Sequence, residues 1–73
     1  MPSHEPLLTQ VGQRIRNLRT RRGWSQERLA DEAGVDRSYM SGIERGVRNS
    51  SILTLAKVAL ALGVSPSSLL QKD

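Results

Sequence analysis

Apolar residues recur along this chain at spacings of three, four and seven, and no window alternates apolar and polar residues as a half-buried strand would. Leu8, Val11, Ile15 and Leu18, extended by the stem of Arg22, form one face of a first helix that Gly23 ends. Ser25 is a good N-cap for a second helix over residues 26–33, although Arg28 stands where a capping box would place Glu. Gly34 stops that helix, Asp36 caps a third running to about Arg45, and Gly46 stops it in turn. Ser50 or Ser51 caps a fourth, with a core stripe of Ile52, Leu55, Ala59 and Leu62 and a stop at Gly63. Ser65 caps a short fifth helix with Pro66 in its first turn, where a missing N–H is harmless. Residues 1–6, with two prolines and no periodicity, read as a tail. Residues 7–73 read as a single compact all-α domain of five helices.

Composition narrows the chemistry. At 73 residues the chain is near the lower limit for a self-supporting core. It has no cysteine and one histidine, His4 in the tail, which excludes thiolate sites, zinc fingers and triad hydrolases. No metal, cofactor or small-molecule ligand is expected. The few carboxylates are taken up by caps and helix surfaces rather than paired in a cleft, so an enzyme is not expected either. The longest uncharged stretch, residues 58–71, is broken by Gly63, Ser65, Pro66, Ser67 and Ser68 and cannot span a bilayer. Nothing near Met1 pairs a basic segment with an apolar one, so the expected location is cytoplasmic with no membrane partner.

Charge is localised. The net charge is +4, and residues 14–48 alone carry nine Arg against Glu27, Asp31, Glu32, Asp36 and Glu44. A basic patch on a small domain attracts a polyanion through counterion release, although the same charge can simply keep a surface solvated. The preference for Arg over Lys favours the first reading, because a planar guanidinium makes bidentate contacts to phosphate or guanine.

Residues 26–45 meet the positional demands of a helix-turn-helix. Ala30 is small where the second member crosses closely over the first, and Gly34 makes the turn four residues on. Leu29, Ala33, Val35, Met40 and Ile43 point inward, leaving Arg37, Ser38, Tyr39, Ser41 and Gly42 on the outer face of the second member. A generic helical hairpin needs neither the Ala nor the Gly. The chain resembles the lambda-repressor-like helix-turn-helix family, the group of Cro and the phage repressors, over about residues 11–70. The matching stretches are Arg14-Ile15-Arg16-Asn17-Leu18-Arg19, Trp24-Ser25-Gln26, the run from Leu29-Ala30 to Gly34, Ser41-Gly42-Ile43-Glu44-Arg45-Gly46, and Ala59-Leu60-Ala61-Leu62-Gly63-Val64-Ser65.

The resemblance implies a third helix that enters the major groove of double-stranded DNA. Arg37 is then the best candidate for a bidentate contact to guanine, with Ser38 and Ser41 as short donors and acceptors. Tyr39 would contact a thymine methyl or a phosphate, or else pack against the first helix. Gly42 departs from the long polar residue that many family members carry there, which suggests a close backbone approach or a short list of direct base contacts. The resemblance also gives Gln26 a phosphate contact, helped by the helix dipole, and Arg19 and Glu44 a structural ion pair. Arg45, Arg48 and Asn49 flank the following loop and are candidate phosphate clamps.

One such module covers few base pairs, and pairing on half-sites a helical turn apart is the usual remedy. With no second domain, the two-fold contact is expected on the domain itself, from Leu53, Leu60 and one of Leu69 and Leu70; core packing of all four is the alternative. The run from Asp36 to Asn49 looks especially like the restriction–modification controller group. That resemblance implies a sequence-specific transcriptional regulator, a homodimer on operator half-sites that activates and represses, with RNA polymerase as a further partner. The alternatives are a phage- or antitoxin-type repressor and a protein-interaction module that reuses the fold without DNA.

Overall fold

The computed structural model describes residues 6–71, so His4 and Lys72 lie outside it. Four α-helices follow one another: α1 (Pro6–Arg21), α2 (Gln26–Ala33), α3 (Arg37–Arg45) and α4 (Ile52–Leu62). Pro6, assigned to the tail by sequence, is the first residue of α1, where its fixed φ suits the helix. The expected fifth α-helix is instead a 3₁₀ helix, Pro66–Leu70. Its Ser68 and Gln71 amides bond back three residues, to the Ser65 and Ser68 carbonyls. The 3₁₀ ladder closes each turn with fewer residues and is the usual form of so short a piece.

Side-chain caps set the starts of the helices. Ser25 Oγ accepts from the Arg28 amide at 3.0 Å. Asp36 Oδ2 accepts from the Ser38 and Tyr39 amides at 3.0 and 3.3 Å. Ser51, not Ser50, caps α4 through the Thr54 amide at 3.1 Å. Gly34 closes α2 in the left-handed region at φ 69°, which an L side chain adopts only with strain. That closure produces the tight turn into α3.

The core collects Val11 and Ile15 from α1, Leu29, Ala30 and Ala33 from α2, Met40 and Ile43 from α3, and Val58, Ala59 and Leu62 from α4. α1 packs across α3 and α2 across α4, while the 3₁₀ helix closes the end between α1 and α4. Two sequence assignments are corrected here. Ile52 is 85% exposed rather than core. It has the right angular position on α4 but sits in the first turn, beyond the end of the core, and Val58 fills the buried stripe instead. Of the two interface candidates Leu69 and Leu70, Leu69 is only 1% exposed and pins the 3₁₀ helix to the core, which leaves Leu70 on the surface.

α1 and the residue after it also satisfy carbonyls of the C-terminal elements. Gln10 Nε2 donates to the Leu70 carbonyl at 2.7 Å, Arg14 Nε to Ser68 at 3.0 Å, and Arg22 Nη1 to Leu62 at 3.2 Å. At Thr9 and Gly12, α1 comes against the C-terminal end of α3. A Cβ on Gly12 would lie 2.6 Å from the Glu44 carbonyl oxygen and closer still to that of Ile43. A Cβ on Gly46, which has φ 75°, would lie 2.7 Å from Thr9 Cα. Both neighbours are backbone and cannot swing aside. Gly12→Ala should therefore destabilise the fold by about 2–3 kcal/mol through overpacking. Urea unfolding measures this, and an unchanged midpoint would contradict such a close approach.

Candidate nucleic-acid interface

α2, its Gly34 turn and α3 form the two members of the helix-turn-helix, and α3 starts with Arg37 immediately after the Asp36 cap. No acidic residue occupies the first turn of α3. The Asp36 carboxylate at the cap offsets the unfavourable meeting of the Arg37 charge with the helix dipole. Ser38 donates its hydroxyl hydrogen to Asp36 Oδ2, which leaves the Ser38 oxygen to act as an acceptor.

Behind α3 lies a buried ion pair. Arg19 Nε meets Glu44 Oε2 at 2.7 Å and Arg19 Nη2 meets Oε1 at 2.9 Å, with side-chain exposures of 12% and 3%. Arg19 Nη1 donates further to the Trp24 carbonyl at 2.9 Å. Donating hydrogen bonds to Glu44 raises the Arg19 pKa above its ordinary value, more than burial lowers it. Gln26 Nε2 donates to Glu44 Oε1 at 3.1 Å, so the first residue of α2 is tied to the same carboxylate. Trp24 is covered by two guanidinium groups, Arg22 at 4.4 Å and Arg28 at 4.6 Å from the ring centre, and Arg28 also pairs with Glu32 at 3.0 Å.

The residues singled out by sequence fall into two groups. Gln26, Arg37, Ser38, Ser41 and Arg45 line one open groove. Tyr39, Arg48 and Asn49 do not join it. Tyr39 is half-buried against the core with the Arg48 guanidinium 4.9 Å above its ring. Arg48 and Asn49 line a separate apolar cleft with Leu8, Ile43 and Leu55. Gly42 is corrected from an outward position: it is buried, and a Cβ there would meet Arg48 Cβ at 3.2 Å. The missing side chain makes room for Arg48 to lie across α3.

A second open groove adjoins the first and adds Thr9, Gln13 and Arg16 of α1 to Gln26, Ser41 and Arg45. Sequence reasoning gave none of these three α1 residues a role. Their spacing of four and three marks a polar stripe on α1 distinct from the Val11 and Ile15 face, and that stripe was the available signal. Among the described residues no group of three or more His, Cys, Asp or Glu could hold a metal ion, and no helix is long and apolar enough to cross a membrane.

The carboxyl of Asp36 is held below its ordinary pKa, chiefly by the Ser38 hydroxyl and then by the Tyr39 and Ser38 amides. A depressed folded-state pKa adds stability above the unfolded value of about 3.9, and that stability fades as pH falls from there through the folded value. The gap in melting temperature between the wild-type chain and Asp36→Ala should be full near neutrality and shrink below about pH 4. A gap that stays constant through the acid range would contradict this role for the cap.

Comparison with known proteins places this geometry. The helix-turn-helix family profile matches residues 15–69. The crystal structure of the restriction–modification controller protein C.AhdI from Aeromonas hydrophila superposes with a TM-score of 0.83 at 52% identity, covering 85% of this chain and 94% of that one. The N-terminal DNA-binding domain of SinR from Bacillus subtilis superposes with a TM-score of 0.81 at 44% identity, covering 89% of this chain and 96% of that domain. The control protein C.BamHI of Bacillus amyloliquefaciens is 47% identical over 60 residues, which are 81% of this chain and 74% of that protein. Some curated relatives are longer: the chain spans 66% of a Neisseria meningitidis hypothetical transcription factor and 57% of full-length Bacillus subtilis SinR. With the turn, the inward apolar set and the solved relatives in agreement, the chain belongs to the helix-turn-helix family.

Proposed function

We propose that this chain is a sequence-specific DNA-binding transcriptional regulator of the restriction–modification controller type, acting as a dimer on operator half-sites. The observation that carries the reading is the groove that unites Gln26 at the start of α2 with Arg37, Ser38, Ser41 and Arg45 on α3. It combines two guanidinium groups, short hydroxyls and an amide on the exposed side of the helix-turn-helix, the set needed to grip phosphates and read base edges together. Arg37 and the Ser38 and Ser41 hydroxyls face bases; Gln26 and Arg45 hold the backbone, with Arg16 of α1 beside them. Tyr39 and Arg48 act as a stacked pair at the edge of this face, next to Asn49. The controller assignment draws on C.AhdI and C.BamHI, and control of RNA polymerase belongs to the same reading. The similarity to the immunity repressor protein of Bacillus phage phi105 favours a plain repressor as the second reading.

Dimerisation is assigned to α4 and the 3₁₀ helix. Leu53 and Leu60 are 67% and 81% exposed on one side of α4, with Ile52 in the same first turn and Leu70 also open to solvent. Large apolar side chains exposed together in this way are covered in a partner-bearing state.

Selection of duplexes from a random-sequence pool should enrich paired half-sites. In mobility shifts on the selected duplex, binding should fall steeply as salt rises. Arg37→Ala should relax specificity at one base pair at a cost of ~1–3 kcal/mol, while Arg45→Ala should weaken selected and random duplexes alike and lower the salt slope by about one. Equal losses on both duplexes for both variants would refute the assigned roles. Light scattering of Leu53→Glu with Leu60→Glu should give the mass of one chain where the wild type gives two; a wild-type mass of one chain at tens of micromolar would exclude the proposed pairing.

A further inference from the structure

Of the residues on the proposed DNA face, Gln26 alone is hydrogen-bonded to the buried ion pair among the described contacts. The carboxylate that receives it is itself held at both oxygens. Glu44 Oε2 takes Arg19 Nε at 2.7 Å, Oε1 takes Arg19 Nη2 at 2.9 Å, and Arg19 is anchored at the Trp24 carbonyl. An ionised carboxylate only accepts, so the nitrogen of the Gln26 amide must be the atom that faces it. Chemistry therefore sets which way the amide points. One N–H is consumed by Glu44, and the other N–H is left for an acceptor outside the protein.

A glutamine in water samples many rotamers, and ordering it on binding weakens the contact it makes. Here the bond to Glu44 holds the amide before DNA arrives. The electrostatics also fit an anionic ligand. Glu44 alone would repel a phosphate, but the bidentate Arg19 neutralises it, and Arg16 and Arg45 line the same groove.

We propose that Glu44, held by Arg19, is a positioning residue for DNA binding, orienting the Gln26 amide to donate its second N–H to a DNA phosphate at the start of α2. This rests on the regulator reading above. It gives the ion pair a role in recognition in addition to its role in the fold.

The test is a double-mutant cycle in affinity for the duplex that the wild-type chain selects. Replacing both Arg19 and Glu44 by Met removes the anchor while leaving an apolar pair, an exchange that folds often tolerate. Gln26→Ala should weaken wild-type binding about tenfold, and the Arg19→Met/Glu44→Met chain should show a similar loss. Adding Gln26→Ala to that chain should change binding by less than about twofold. The same factor for Gln26→Ala in both backgrounds would overturn the proposal and leave the regulator reading standing. Failure of the wild-type chain to enrich any duplex would overturn both. A measurement on the free wild-type chain stands in if the Met variant does not fold. The NMR order parameter of Gln26 Nε2 should approach the rigid-backbone value of about 0.85, and a value below about 0.6 would overturn the proposal.

Discussion

The contact of α1 with α3 determines where every other functional group sits. At its centre the backbones meet at Gly12, where no side chain fits, and Thr9 lies against Gly46 at the end of α3. Arg19, further along α1, reaches Glu44 through two short hydrogen bonds. Steric closeness and charge pairing thus act on the same two helices. Removing one partner of such a buried pair commonly costs about 3–5 kcal/mol, a large share of the stability of a small domain. Because Glu44 also binds Gln26, the contact that orients α3 orients the start of α2 as well.

Much of this was legible in the sequence where a residue type has a single physical use. Glycines followed helical runs and ended them, and Ser25 and Asp36 cap the helices they precede. The inward set Leu29, Ala33, Met40 and Ile43 is buried as its spacing required. Errors came where periodicity says nothing about the end of a core. Ile52 shares the stripe of Leu55 and Ala59 but lies one turn past the residues that could cover it. Leu69 and Leu70 are adjacent and alike in sequence, and only the 3₁₀ geometry decides that Leu69 turns inward. Gly42 did suggest a close approach without showing that Arg48 makes it, whereas Gly12 could not be read from one chain, since its neighbour, the Glu44 carbonyl, is distant in sequence. The same is true of the split of the site residues, with Tyr39 and Arg48 stacked together away from the groove of Arg37 and Arg45.

The basic excess takes on meaning through this arrangement. Arg19 is held inside the fold, Arg22 and Arg28 lie over Trp24, and Arg14 holds the Ser68 carbonyl. Arg16, Arg37 and Arg45 remain on the grooves beside α3, and Arg48 lies across Gly42. The net charge of +4 is therefore less informative than the few arginines that internal contacts leave facing the helix-turn-helix.

The most direct test of the central claim is an NMR titration of the wild-type chain with its selected duplex, following backbone and side-chain amide shifts. The largest changes should fall on Gln26 and on Arg37, Ser38, Ser41 and Arg45, with Val58 and Leu62 in the core little affected. Changes concentrated on the Leu53 and Leu60 side of α4, with the α3 groove unmoved, would contradict the account.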